Sequence, residues 1–273
     1  MTAYFLMLPS ADDALLLAVI FSTLTMAAYA GRIAGGSQKQ STSSGFAVMT
    51  GATLTLSGLL IGFVFSVSLG GYSARGMSEL RETQSVASAW QYTMLLSPAT
   101  QRELQPVLKK YLDDRIHFFQ EETSVGGRSW SHMSEQSQQQ LWQRVMMQAE
   151  YSPSAVTASV LSVFNALMTS QHQTCATWKR QIPDAAWLLL IVFATSACFL
   201  VGHHLDGGCV HHFYLLILPV LTSLALFMIA EIDIPGQGII RVTPDDLEQL
   251  SMSLRAANPG KPHDLSVPVH HVP

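Results

Sequence analysis

Four stretches of this chain run for eighteen residues or more without a charge, and a long polar segment separates the second from the third. A helix rises about 1.5 Å per residue, so runs of that length reach across a ~30 Å hydrocarbon core. The pattern predicts membrane helices at about 14–31, 48–69, 185–202 and 213–230. The second does not stop at the membrane boundary. Met77, Leu80, Thr83, Ala87, Trp90 and Met94 recur at three- and four-residue spacing, the period of an amphipathic helix that continues into a water-facing domain. The predicted fold class is all-α: a polytopic membrane protein with four transmembrane helices and a helical cytoplasmic domain inserted between helices two and three.

In chain order, Ser10 and Asp13 have capping-box spacing ahead of the first span, and Asp12 and Asp13 suit the positive end of a helix dipole. A secretory signal peptide is the rival reading, since Ala28-Tyr29-Ala30 resembles a cleavage site. Such a peptide wants lysine or arginine before its apolar core, and two aspartates there favour an uncleaved helix. A Gly/Ser-rich loop at 32–45 leads to the second span, where Gly58 and Gly62 have the spacing that lets another backbone approach closely. Past Pro98, Val107, Leu108, Tyr111, Leu112, Ile116 and Phe119 share one face of a helix, with Lys109, Lys110, Asp113 and Asp114 largely on the other. Gly126-Gly127 predicts a turn, followed by a glutamine-rich helix over about 134–150. Ser152-Pro153 predicts a cap with proline at the first helical position. Val156, Val160, Val163, Leu167, Thr174 and Trp178 then form a near-heptad seam. Pro183 ends that helix, and Pro219 should kink the fourth span. The expected organisation is an N-terminal hairpin at 1–71, a helical domain at 72–183, a C-terminal hairpin at 184–232, a short segment at 233–255 and a disordered tail at 256–273.

Composition supports the membrane reading. Only 12% of the 273 residues are charged, 48% are apolar, and the mean hydropathy is +0.26. Twenty of the thirty-four charged residues fall between Arg75 and Asp184, ten of each sign. A net charge of −4 gives no basic footprint for nucleic acid. Cys175, Cys198 and Cys209 suggest no disulfide framework. Arg75, Arg81, Lys179, Arg180 and Arg241 flank the spans on one side, against Arg32 and Lys39 on the other. The positive-inside rule therefore places both termini and residues 72–183 in the cytoplasm, and the expected location is the inner (plasma) membrane, as a multi-pass protein.

Several blocks resemble the bacterial bestrophin-like membrane protein family. They are GLLIGFVFS at 58–66 with Tyr72, Arg75, Glu82 and Trp90; YLDDRI at 111–116; IPDAAWLLL at 182–190; and EIDIPGQGIIRV at 231–242. The chain has Gly71 and Ile234 where the family often has arginine, and Gln84 where it often has asparagine. The resemblance implies a homo-oligomer, a pentamer by analogy, embedded in the lipid bilayer. Its second helix would line an axial pore that passes small ions, anions above all.

On that view Ser57, Gly58, Gly62, Phe63, Phe65 and Ser66 are the candidate pore lining, with one phenylalanine as a hydrophobic constriction and serine hydroxyls, Ser68 included, as dipoles. Phe63 and Phe65 point to different sides of a helix, so only one can face an axis. Arg75, Arg81, Glu82, Glu231, Asp233 and Arg241 form a candidate charge cluster at the membrane exit, whose plainer role is a structural ion-pair network. His203, His204, Asp206, Cys209, His211 and His212 are competent metal ligands, but their spacing matches no established site, and interfacial histidines are the simpler account. No phosphate loop, HExxH helix or GxSxG elbow occurs, so neither an enzyme nor a cofactor is expected. The alternative to a channel is a non-conducting membrane-anchored scaffold or regulator acting through its cytoplasmic helices.

Overall fold

A computed structural model describes residues 11–36, 44–121, 125–204, 211–234 and 240–256. The expected cap at Ser10, the middle of the 32–45 loop and the tail beyond 256 lie outside the described residues, as do Asp206 and Cys209. Among the described residues there are helices and no strands: α1 (Ala11–Gly36), α2 (Ser44–Thr93), α3 (Pro98–Glu121), α4 (Val125–Tyr151), α5 (Ala155–Trp178), α6 (Asp184–His204), α7 (His211–Asp233) and α8 (Asp245–Ala256). They fall into two units, one built from 1–76 and 175–242 and the other from 77–174 and 243–273.

The first unit holds the four apolar runs, each in a helix long and apolar enough to cross a membrane. α1 packs most extensively along α6 and also against α7. Leu24, Ala28, Val64, Leu190, Ala194, Cys198, Leu215 and Ile229 form the interior. Outside it stand Leu15, Met26, Ile33, Leu188, Phe213 and Leu221, all largely exposed. At most 44% of any of the four apolar windows is buried within the chain. In a water-soluble bundle those outward positions would be polar. Apolar residues inside and out mark helices whose outer solvent is lipid.

α1 and α6 approach at backbone distance. A methyl group on Gly31 would overlap the carbonyl of Phe199, one on Gly35 the carbonyl of His203, and one on Gly202 the carbonyl of Ala28. Without a hydrophobic drive between helices in lipid, close packing of this kind holds spans together. Gly58 and Gly62, with the same four-residue spacing, meet nothing within their own chain. The intrachain close approach is therefore between α1 and α6, not at the second span.

The second unit is a helical domain with a conventional interior. α3 packs on α4 and α8, and Val86, Leu104, Leu108, Leu112, Leu141, Phe164, Leu167 and Leu247 are fully or almost fully buried. α3 starts as its sequence dictates, with Ser97 Oγ accepting the Thr100 N–H at 3.3 Å and Pro98 at the first helical position. Three details differ from the sequence expectations. Gly126 and Gly127 lie inside α4 rather than in a turn. Each glycine costs about 1 kcal/mol there, a penalty that a 27-residue helix packed on α3 can absorb. Asp114 is buried, accepting a hydrogen bond from Ser137 Oγ at 2.6 Å, instead of facing water.

The cap of α5 is Ser154, not Ser152. Ser154 Oγ accepts the Thr157 N–H at 3.1 Å, and the Ser154 N–H donates to Thr157 Oγ1 at 2.8 Å. This reciprocal pair satisfies two backbone donors at the helix start. Replacing Ser154 by alanine is expected to cost about 1 kcal/mol, read as a lower thermal midpoint, whereas Ser152→Ala should leave it unchanged.

Candidate functional site

Helix α2 runs for 50 residues, roughly 75 Å, without a break. Its membrane half has two unlike faces. Ser57, Val64 and Ser68 are buried, and Leu60, Ile61 and Phe65 pack against the interior of the first unit. The other face is outward and mixed: Gly51, Thr55, Gly58, Gly62 and Ser66 form an exposed stripe of small residues, and Leu56, Leu59, Phe63 and Val67 are exposed beside it. Phe63 and Phe65 are thus separated, the first facing out and the second in. Ser57 likewise points inward, while Gly58, Gly62 and Ser66 point away from the chain's own helices. Ser68 Oγ is buried with no hydrogen-bond partner among the described residues.

At the C-terminal end of α7 the first unit concentrates its charge. Arg75 is 3% exposed, and its guanidinium donates to the carbonyls of Ile232 and of Asp233, the latter at 3.2 Å. A cation on the last carbonyls of a helix satisfies orphan acceptors and complements the negative pole. The Asp233 carboxylate accepts the Ile182 N–H at 2.9 Å and the Trp187 Nε1–H at 3.4 Å. That aspartate therefore ties the entry of α6 to the end of α7. Glu231 is buried beside it in sequence. Arg241, exposed, shares a small recess with Tyr72, Arg75, Trp178 and Ile232.

Within the second unit, Glu82 has its own partners. Its Oε2 accepts Arg115 Nη2–H at 3.0 Å, and its Oε1 accepts from Arg115 Nε–H and, at 3.1 Å, from the Tyr111 hydroxyl. Glu82 and Arg115 are both fully buried, and the guanidinium lies over the Phe118 ring at 4.3 Å. Arg81, by contrast, is exposed. Of the six charges expected at the membrane exit, Arg75, Glu231, Asp233 and Arg241 belong to the first unit, and Arg81 and Glu82 to the second. Tyr111 and Arg115 are site residues the sequence reading did not single out. The signal was present, because Arg115 falls four residues after Tyr111 on the apolar stripe of α3, where a charge needs a buried partner.

His203 and His204 close α6 and lie against Phe46, with ring centroids 4.7 and 6.4 Å away. The side chains of His211 and His212, like Asp206 and Cys209, are outside the described residues. Among the described residues no three His, Cys, Asp or Glu side chains converge as a metal site would require.

Comparison with known proteins agrees with this architecture. No curated protein sequence matches the chain. A solved crystal structure, described as that of a membrane protein with a glycine-to-alanine substitution, superposes with a TM-score of 0.59 at 11% identity. The match covers 89% of this chain and 95% of that one, a likeness of fold. The family model for the bestrophin-like domain matches residues 16–247, which takes in all four apolar helices and nearly all of the helical domain. The chain is a membrane protein that belongs to the bestrophin-like family.

Proposed function

We propose that the protein is the subunit of a homo-oligomeric ion channel, selective for anions, with the outward face of α2 lining the pore. The single observation that carries this reading is the composition of that face. A helix turned to lipid covers itself with bulky apolar side chains, as α1 and α6 do with Leu15, Met26 and Leu188. Beside the exposed Leu56, Leu59 and Val67, α2 also carries a stripe of small residues, Gly51, Thr55, Gly58, Gly62 and Ser66, which offers close approach, hydroxyl dipoles and bare backbone. Copies of this face around an axis give a narrow, uncharged passage, and Phe63 stands on it as the constriction that gates by dewetting. The chain's helical unit, residues 77–174 and 243–273, then lies in the cytoplasm, and the membrane is the inner one.

Ion flux in liposomes reconstituted with the purified protein tests this. Wild-type protein is expected to pass small anions, and Phe63→Ala to raise the flux about tenfold by widening an apolar constriction. Phe65→Ala, on the inward face, should leave conductance per channel unchanged. Absence of flux from both wild type and Phe63→Ala, in correctly assembled oligomers, leaves the scaffold reading in place of the channel.

A further inference from the structure

We propose that α8 is an acid-fastened latch, which seats fully on the helical unit while Glu79 is protonated and loosens as that carboxyl ionises. Glu79 projects from α2 and is 3% exposed. Its Oε1 accepts the Leu247 N–H in the first turn of α8 at 3.1 Å, and also the Thr83 hydroxyl at 3.3 Å. Both printed contacts fall on Oε1, and no protein donor reaches Oε2 among the described residues. Among the described residues no basic side chain pairs with it either.

Its charged surroundings are acidic. From α8 it faces Asp246, which follows Asp245 and precedes Glu248 in the same first turn. From α2 it faces Glu82, one turn on. The cation of this region, Arg115 on α3, is engaged by Glu82, as is the Tyr111 hydroxyl. A second ionised carboxylate placed here is buried, half-bonded and repelled. Glu79 stands ten residues beyond the apolar run of the second span. Burial pushes its carboxyl up from 4.5 to about 7; the Leu247 amide pulls it back, and the charges of Asp246 and Glu82 add to the rise.

The sign follows from linkage. A carboxyl that holds its proton more tightly in the docked state favours docking below the ordinary carboxylate range, and that advantage fades as pH rises through about 7. The remaining attachments of α8 do not involve Glu79. Leu247, Leu250 and Leu254 are buried, Arg255 pairs with Asp113 at 2.9 Å in an exposed position, and Gln120 donates to Glu248 at 2.7 Å. The buried leucines hold α8 at either pH, and the Glu79 contact at its leading end is the one that changes with ionisation.

Amide hydrogen exchange on the full-length protein in detergent tests the latch, following the peptides that cover 245–256 at pH 5.5 and 8.5 with rates corrected for intrinsic chemistry. Wild-type protection of α8 is expected to fall about tenfold between the two pH values. Glu79→Gln, which keeps the acceptor for Leu247 but cannot ionise, should be protected equally at both. His117→Gln removes an exposed histidine on α3 and should retain the wild-type fall. Equal wild-type protection at both pH values overturns the proposal. So does an unchanged fall in Glu79→Gln, or its disappearance in His117→Gln. None of these readouts depends on ion flux.

Discussion

Glu82→Ala is expected to destabilise the helical unit by about 3–5 kcal/mol, because it strands the Arg115 guanidinium in an interior that water does not reach. Both partners are fully buried. The carboxylate takes two hydrogen bonds from the guanidinium and one from Tyr111, and no solvent is at hand to replace them. The Phe118 and Phe119 rings stacked near the cation, at 4.3 and 5.4 Å, recover only part of its lost hydration. The drop should appear as a fall of roughly 10 °C in the thermal midpoint of the detergent-solubilised protein. The paired replacement Glu82→Gln with Arg115→Met removes the charge on both sides, and should recover much of the loss. A single Glu82→Ala variant as stable as wild type would mean that the pair is not what joins α2 to α3.

The second large effect is expected at Gly202. Valine there places branched carbons where the Ala28 carbonyl already stands, and since the obstacle is backbone, no rotamer change relieves the clash. Overpacking into side chains costs about 1–3 kcal/mol, and a clash with a helix backbone lies at or above the top of that range. α1 and α6 should part, giving a poor yield of monodisperse protein and a lower midpoint. Gly62→Val introduces the same side chain with nothing of its own chain in the way, so its effects fall on assembly or flux. Equal stability of Gly202→Val and wild type would remove the α1–α6 contact as a fold determinant.

The contrast between these glycines shows where sequence reading reaches its limit. Apolar runs of eighteen residues are legible because excluding charge over that length is rare outside membranes, and all four runs are helices here. The continuation of α2 past residue 69 was equally legible from its 3.6-residue period. What the sequence could not reveal is which side of a span faces its neighbours. In water a helix announces its inner face by the contrast of apolar and polar. In lipid both faces are apolar, so Phe63 and Phe65 read alike although one points out and the other in. Gly58–Gly62 and Gly31–Gly35 share a spacing, yet only the second pair meets another helix of the same chain. In the helical unit the polar residues misled for a different reason. Asp114 and Arg115 fall among charged neighbours in YLDDRI, and only tertiary partners, Ser137 and Glu82, make their burial tolerable. Two consecutive glycines in α4 likewise yielded to packing that a local propensity cannot see.

The first unit is woven from the two ends of the chain, 1–76 and 175–242. Arg75 waits for carbonyls more than 150 positions downstream, and Val64 for side chains on α6 and α7. During synthesis, then, the opening pair of spans sits in the bilayer with its mating surfaces bare until the last span leaves the ribosome. Contacts of such long range are slow to close, and a half-made chain of this design is a natural client for membrane chaperones and quality-control proteases.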